Sequence, residues 1–170
     1  MADDSYRTRE YSGGCQCGAV RFHVTALKGN PHLCHCRMCQ KAVGNLFAAL
    51  IGVEAGNLTW TRGTPATFRS SGHVDRGFCG RCGTPLYYRN LEGTGYGVTI
   101  GAFDDPGQLP ILFEMGLEGR HPSLAPLTQA QQLGTTVEAD GAEAVEDIAR
   151  SNNQHPDHDT SDWTPHMSSV

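Results

Sequence analysis

Short segments of alternating apolar and polar residues recur through the first two thirds of the chain. In the first of them, Val20, Phe22 and Val24 alternate with the polar residues Arg21 and His23. This period of two is typical of a strand with one buried face. The same pattern predicts strands over 58–61, 66–69, 86–89 and 96–102, a short apolar strand over 46–52 and a weaker one over 111–115. The sequence therefore predicts a domain that is mainly β.

The two ends of the chain lack this alternation. Residues 122–137 show no strand pattern, which favours a surface excursion. Helix-forming residues with apolar positions spaced i, i+3 fill 142–150, and Asp140 is a candidate cap for that helix. Composition alone predicts a loose polar leader over 1–12 and a disordered tail over the Ser-, His-, Asp- and Pro-rich residues 151–170.

The most informative local feature is the segment CHCRMC at residues 34–39, which places three thiols within six residues. One short loop of this kind can wrap a single soft metal ion, and zinc is the commonest choice at a mononuclear thiolate site. The other four cysteines form two pairs, one at 15 and 17 and one at 79 and 82. Glycines flank both pairs, as expected for turns that direct backbone N–H groups toward metal-bound sulfur.

Length and charge exclude several classes of protein. The chain has 170 residues, and at roughly 150 residues per domain this favours one domain. Its 13 basic and 18 acidic residues leave a formal net charge of −5, whereas binders of nucleic acid or anionic membranes need a basic face. The N-terminus lacks the apolar core of a secretory signal, and no apolar run approaches the ~20 residues of a membrane helix. We therefore expect a cytoplasmic protein, in which reduced thiols favour metal sites over disulfides.

The cysteine count divides into four and three. A closed structural zinc site has four protein ligands, whereas a catalytic site has three and leaves one position for water or substrate. The open site would be the tripod of Cys34, Cys36 and Cys39, and the closed site would be the four-cysteine group of Cys15, Cys17, Cys79 and Cys82. In the alternative, the tripod recruits His32 or His35 and is structural too. An iron–sulfur cluster is disfavoured, because the tripod lacks a fourth thiol and its spacing differs from ferredoxin sequences.

Other polar and aromatic residues near the thiols have less specific interpretations. Four cations either bind an anionic ligand or are ordinary surface charge: Arg37, Lys41, Arg76 and Arg81. The aromatic residues Trp60 and Phe68 are expected to lie in the core rather than to contact a substrate. The tail histidines His155 and His158 are expected to face solvent rather than to bind metal.

Three segments carry a family resemblance: GCQCGAVRF at 14–22, CHCRMC at 34–39 and RGFCGRCGTPL at 76–86. Together they resemble the glutathione-dependent formaldehyde-activating enzymes, also called S-hydroxymethylglutathione synthases, a family related to centromere protein V. The resemblance covers roughly residues 10–120 and places all seven cysteines in register. Segment 154–160, QHPDHDT, is also similar to a segment of some members, which implies that the tail packs on the domain.

The resemblance implies a β-tent fold of small antiparallel sheets around two zinc sites, followed by the short C-terminal helix. It implies a structural zinc on Cys15, Cys17, Cys79 and Cys82 and a catalytic zinc on Cys34, Cys36 and Cys39, hence two Zn²⁺ per chain. The implied organisation is a leader over 1–12, a zinc-binding domain over 13–120 and an extension over 121–170. The implied activity is a carbon–sulfur lyase that joins glutathione, or a related thiol, to formaldehyde or another small aldehyde. The alternative is a non-catalytic zinc protein that carries glutathione or serves as a structural module.

Overall fold

The structure is a computed structural model that describes residues 4–164, and it is mainly β, as predicted. Within this range the strands are β1 (Tyr11–Gly14), β2 (Arg21–Val24), β3 (His32–Cys34), β4 (Ala48–Glu54), β5 (Leu58–Arg62), β6 (Ala66–Ser71), β7 (Val74–Phe78), β8 (Pro85–Asn90), β9 (Gly95–Thr99) and β10 (Phe113–Met115). The α-helices are α1 (Arg37–Val43), α2 (Thr136–Asp140) and α3 (Ala142–Ser151). Short 3₁₀ turns occupy several of the connections.

The smaller sheet has three antiparallel strands in the order β1-β2-β5. The sequence pattern predicted β2 and β5 but not β1, whose first two residues it placed in the polar leader. Gly13 and Gly14 give β1 a low intrinsic strand preference. Pairing makes it a strand, since Gly13 lies opposite Phe22 and a side chain at this position would overlap the Phe22 ring. Tertiary packing therefore outweighs local preference here.

The larger sheet has seven strands in the order β10-β3-β4-β9-β8-β7-β6. Its neighbours are antiparallel except for β10 and β3, which pair in parallel with Phe113 opposite His32. The pattern predicted most of these strands but not β7 or β3, and β3 has only three residues. The antiparallel pairing of β7 with β8 places the second cysteine pair in the turn between them.

One apolar cluster joins the two sheets. Phe22 from the smaller sheet and Ile51, Leu86 and Val98 from the larger sheet are all fully buried in it. The Phe22 ring packs edge-on against Phe103, with ring centroids 5.2 Å apart. Aromatic pairs in this geometry add to the free energy of burial. The sheets are thus fixed relative to each other, and so are the turns that carry the cysteines.

The helices differ in part from expectation. The short helix α1 was not predicted; it begins directly after Cys36, inside the segment taken as a loop. The short C-terminal helix is present as α3, but Asp140 ends α2 and Gly141 occupies the N-cap of α3, so the predicted cap was wrong. None of the helices found among residues 4–164 is long and apolar enough to cross a membrane.

Candidate metal centres and their cavities

The four-cysteine group lies where two hairpin turns meet. Cys15 and Cys17 occupy the turn between β1 and β2, and Cys79 and Cys82 the turn between β7 and β8. Their four sulfurs lie within 4.8 Å of one another. The sulfur of Cys17 is 3.6 Å from that of Cys15 and 3.8 Å from that of Cys79. The group therefore connects the smaller sheet to the larger one, and its members Cys17 and Cys79 are 62 positions apart in the sequence.

Each turn depends on a glycine in a left-handed conformation. Gly18 has φ +69° and donates its N–H to the carbonyl of Cys15 at 3.0 Å. Gly83 has φ +80° and donates to the carbonyl of Cys79 at 2.9 Å. Other L-residues rarely adopt this backbone conformation. The two turns are therefore local structures that the glycines flanking the cysteines make possible.

Backbone N–H groups point at the sulfurs of both turns. The Val20 N–H donates to Cys15 Sγ at 3.2 Å, and the Arg81 N–H donates to Cys79 Sγ at 3.4 Å. Donors aimed at sulfur stabilise the thiolate form that a metal requires. The turns thus prepare the cysteines for a cation.

The sulfur geometry fits zinc. Four sulfurs at ~2.3 Å from a tetrahedral Zn²⁺ would lie roughly 3.8 Å from one another. The measured separations of 3.6 and 3.8 Å in the four-cysteine group match this arrangement, as does the 3.5 Å between Cys34 and Cys36 in the tripod. Both donor sets consist entirely of thiols, which favour zinc over hard cations.

The tripod forms at the junction of β3 and α1. Cys34 is the last residue of β3, Cys36 directly precedes α1, and Cys39 lies in the first turn of that helix. The three sulfurs lie within 4.8 Å of one another, and no fourth His, Cys, Asp or Glu among residues 4–164 joins them. Residues 4–164 thus offer three ligands to the tripod, and a tetrahedral ion bound to these three would have its fourth position open.

The two histidines considered as a fourth ligand point elsewhere. His32 Nδ1 lies 2.7 Å from the carbonyl oxygen of Asn30, and its ring stacks on Phe113 with centroids 5.1 Å apart. His35 is fully buried, with its ring edge-on to Phe47 and Nε2 3.5 Å from a carboxylate oxygen of Glu114. In this structure neither imidazole closes the tripod.

The tripod thiols differ in acidity. Burial raises the pKa of Cys34 to about 12, and its sulfur neighbours in the tripod add to the effect. Burial also opposes ionisation of Cys36, but hydrogen bonds from the Cys39 and Met38 backbone outweigh it and lower the pKa of Cys36 below its ordinary value. A divalent cation would lower the pKa of all three thiols, because a coordinating thiol is deprotonated. Cys36 therefore ionises more readily than Cys34 before metal binds.

Acidity in the four-cysteine group is similarly divided. Burial raises the pKa of Cys15 and of Cys17. Burial also acts on Cys82, but hydrogen bonds from the side chain and backbone of Thr84 outweigh it and lower the pKa of Cys82 to about 6. The Thr84 hydroxyl lies 3.2 Å from the Cys82 sulfur. Cys82 thus holds negative charge in this group near neutral pH.

All three tripod cysteines line one cavity of about 520 Å³, which we call the tripod cavity. A second cavity of about 700 Å³ adjoins it, and four residues line both: Met38, Leu50, Arg76 and Tyr88. Ligand sites for small molecules usually have volumes of this order. A small molecule can therefore reach the open position of the tripod.

The second cavity is basic, and we call it the basic cavity. Arg37, Lys41 and Arg76 line it, whereas no Asp or Glu of the described chain does. Arg81 instead lines a different cavity beside Cys79, so the structure brings only three of the four candidate cations together. Phe68, expected in the core, is 61% exposed and lines the basic cavity; strand β6 is the edge of its sheet and leaves the ring uncovered.

The C-terminal segment packs over the four-cysteine group. The His155 N–H donates to the Gln16 carbonyl at 2.6 Å, and the Trp163 indole N–H donates to the Cys17 carbonyl at 2.8 Å. His155 is 4% exposed, so its predicted exposure to solvent was wrong, as was disorder for the described part of the tail, up to residue 164. Sequence reasoning missed Trp163, although the family-like segment 154–160 indicated packing nearby. The rest of the tail, 165–170, lies outside the described residues.

Comparison with known proteins found similarity to a protein family, to curated relatives and to solved structures. A family model described as glutathione-dependent formaldehyde-activating enzyme matches residues 10–115. An uncharacterized lyase of Schizosaccharomyces pombe is 31% identical over 86 residues, which cover 49% of this chain. The chain spans 61% of that curated relative's length. The crystal structure of a Rhodobacter sphaeroides protein is 23% identical with a TM-score of 0.51, covers 61% of this chain and 99% of its own, and shows similarity of fold.

Proposed function

Because the chain belongs to the glutathione-dependent formaldehyde-activating enzyme family, we propose that it is a zinc-dependent carbon–sulfur lyase. In this proposal it joins glutathione, or a related thiol, to formaldehyde or another small aldehyde. The observation that carries the proposal is the tripod, in which three thiols share a cavity and no fourth protein ligand closes the set among residues 4–164. A purely structural zinc site would have four ligands.

We assign the metal ligands as two sets. The structural set is Cys15, Cys17, Cys79 and Cys82, and the catalytic set is Cys34, Cys36 and Cys39, for two Zn²⁺ per chain. A zinc ion at the tripod would keep a substrate sulfur as thiolate at neutral pH or polarise the aldehyde oxygen. The structural set would hold the two sheets together, which keeps the tripod cavity in shape.

The reaction balances without an oxidant or reductant. The S–H bond of the thiol breaks and its sulfur forms a bond to the aldehyde carbon. The carbonyl π bond opens, and the proton ends on the former carbonyl oxygen. The chain's contribution is to place the sulfur beside the carbonyl in a defined cavity, and such positioning accelerates an addition.

The basic cavity supports an anionic substrate. Glutathione carries two carboxylates, and neither Arg37 nor Lys41 has a carboxylate partner in the part of the chain that the structure describes. Within the described range, Arg37 donates to the neutral amide oxygen of Gln40, at 3.2 Å. Since Met38 lines both cavities, a tripeptide with its sulfur at the tripod can extend over Met38 toward these cations. We propose Arg37 and Lys41 as the groups that hold the carboxylates.

The remaining assignments follow the family. We propose the β-tent architecture, with a zinc-binding domain over 13–120 and an extension over 121–170 that packs on it. We also propose a cytoplasmic location, which the seven free thiols of the structure support because that compartment keeps thiols reduced.

A titration with glutathione tests this function. Cobalt replaces zinc in the full chain, so that thiolate binding at the tripod changes the visible spectrum. Glutathione should change this spectrum. S-methylglutathione, which lacks the free thiol, should not change it, and Cys36→Ala should abolish the response to glutathione. Exchange NMR of formaldehyde with glutathione then shows whether the adduct forms faster with protein than without.

The outcomes separate the candidate functions. Glutathione binding with faster adduct formation supports the lyase. Binding without acceleration would contradict the lyase and indicate a glutathione carrier. No spectral response to glutathione would contradict both and leave a different thiol substrate or a structural module.

A further inference from the structure

The two buried arginines of the described chain have opposite surroundings. Arg21 is 3% exposed and donates to the carboxylates of Asp104 and Asp159, both at 2.7 Å. Arg76 is 8% exposed, and no carboxylate among residues 4–164 lies within ion-pair distance of it. A buried charge without a counter-charge strongly destabilises a fold. The counter-charge of Arg76 must therefore come from another of its neighbours.

The neighbour of Arg76 that can carry a full negative charge is Cys39. The guanidinium donates through Nη2 to Cys39 Sγ at 3.4 Å and through Nε to the neutral hydroxyl of Ser70 at 3.2 Å. It also faces the Tyr88 ring at 5.3 Å, which offers only the partial charge of a π face. Three thiolates around Zn²⁺ carry a formal charge of −1. Arg76 and a loaded tripod would therefore be neutral together.

The sheet fixes Arg76 in this place. It is the middle residue of β7, paired with Phe68 of β6 on one side and with Tyr88 of β8 on the other. Its side chain lines both the tripod cavity and the basic cavity. Arg76 thus lines the cavity through which an incoming ligand would reach the tripod, and two flanking strands hold it there.

We propose that Arg76 is a positioning residue that balances the charge of the loaded tripod through Cys39 and so allows an anionic sulfur ligand to bind at the open position. When Arg76 is counted with the metal and the three thiolates, binding of a further thiolate changes their net charge from zero to −1. In a variant without the arginine charge, the same step changes the net charge from −1 to −2. Hydrogen bonding to Cys39 also reduces electron donation by that sulfur, so the metal attracts a fourth ligand more strongly. The proposal rests on the proposed metal at the tripod but does not require that the thiol be glutathione.

The test compares a charged and a neutral probe on the cobalt-substituted full chain. 2-Mercaptoethanol binds as thiolate and releases its proton to the buffer, whereas imidazole binds without charge. Arg76→Met should lower the affinity for 2-mercaptoethanol by about 10- to 100-fold, the range expected when one nearby charge is removed from a partly buried site. The affinity of this variant for imidazole should stay within about threefold of the wild-type value. The thiolate-to-cobalt absorption band should also move to longer wavelength, because Cys39 becomes a stronger donor.

Two further variants control the comparison. Arg89 also places its guanidinium 5.3 Å from a tyrosine ring, that of Tyr96, but it is exposed and contacts no thiol within residues 4–164. Arg89→Met should therefore leave the affinities for both probes and the absorption spectrum unchanged. Arg76→Lys loses the planar guanidinium but keeps the positive charge, so on the charge argument it should retain affinity for 2-mercaptoethanol within about threefold of the wild type.

The outcomes decide the proposal. An equal loss of affinity for both probes in Arg76→Met would show a merely structural role for Arg76 and overturn the proposal. Unchanged affinity for 2-mercaptoethanol in this variant would also overturn the proposal. If Arg76→Met loses the tripod metal, Arg76→Lys decides: a loss of thiol affinity of tenfold or more with imidazole binding intact would overturn the charge argument. A response to 2-mercaptoethanol but not to glutathione would contradict the proposed substrate and leave the role of Arg76 standing.

Discussion

The proposed zinc sites span very different lengths of chain, and this predicts unequal contributions to stability. Cys17 and Cys79 are 62 positions apart, whereas the outer tripod ligands, Cys34 and Cys39, are five positions apart. An ion stabilises a fold only to the extent that it binds the native state better than the unfolded chain. An unfolded chain can still offer the tripod as a local site, but it seldom brings the two distant pairs together.

Loop closure sets the size of the difference. The entropic cost of closing a loop grows as (3/2)RT ln n, so closing 62 positions rather than five costs about 2 kcal/mol more in the unfolded chain. Losing the distant ligand pair should therefore reduce the free energy of unfolding by about 2 kcal/mol more than losing the tripod pair. For a chain of this length the difference corresponds to about 4–8 °C in Tm.

The matched variants are Cys79→Ser/Cys82→Ser and Cys34→Ser/Cys36→Ser. Each removes one buried and one half-buried thiol, so the two differ mainly in the length of chain that the metal spans. Elemental analysis should find two zinc ions in the wild type and one in each variant. Urea unfolding, followed by circular dichroism at a fixed excess of free zinc, then measures the two losses of stability.

Chelator provides the control. With zinc removed from all three proteins, the gap between the variants should close, because no ion favours either native state. A gap that persists with chelator would assign the difference to packing of the substituted side chains. Equal losses at saturating zinc, or a larger loss in the tripod variant, would refute the reasoning from chain length.

Two further predictions concern the segments that pack around the four-cysteine group. Burial opposes ionisation of Asp104, but hydrogen bonds from Arg21 outweigh burial and lower the pKa of Asp104. Because this pKa is lower in the folded protein than in the unfolded chain, the carboxylate stabilises the fold fully above the unfolded-state pKa. The stabilisation is lost as the pH falls through the folded-state pKa. Urea unfolding should show Asp104→Asn less stable by about 3 kcal/mol at pH 7, with the gap narrowing as the pH falls below about 5; a constant gap would contradict the pKa argument. Trp163→Phe removes the hydrogen bond that the indole donates to the Cys17 carbonyl, which contributes about 1 kcal/mol. Chelator should therefore remove the zinc ion of the four-cysteine group about fivefold faster from this variant than from the wild type. Trp60→Phe, which makes no such bond, is the control, and equal rates in the two variants would contradict this role of the indole.

Local pattern was sufficient for strands with regular alternation. The segments predicted at 66–69 and 86–89 lie inside β6 and β8, which both pair with β7. The elements that were missed lack a readable period. β1 contains two glycines, β3 has only three residues, and α1 has seven, about two turns, which is too short for a helical period to stand out.

The sequence by itself determined the thiols, their grouping into a local tripod and two pairs, and the preference for zinc. Those features depend on residues within a few positions of one another and on the chemistry of sulfur. Only the tertiary structure decided that Arg76 reaches Cys39, 37 positions away, and that Trp163 reaches Cys17, 146 positions away. These contacts depend on strand order and on the path of the C-terminal segment, which the whole apolar core stabilises and no local pattern encodes.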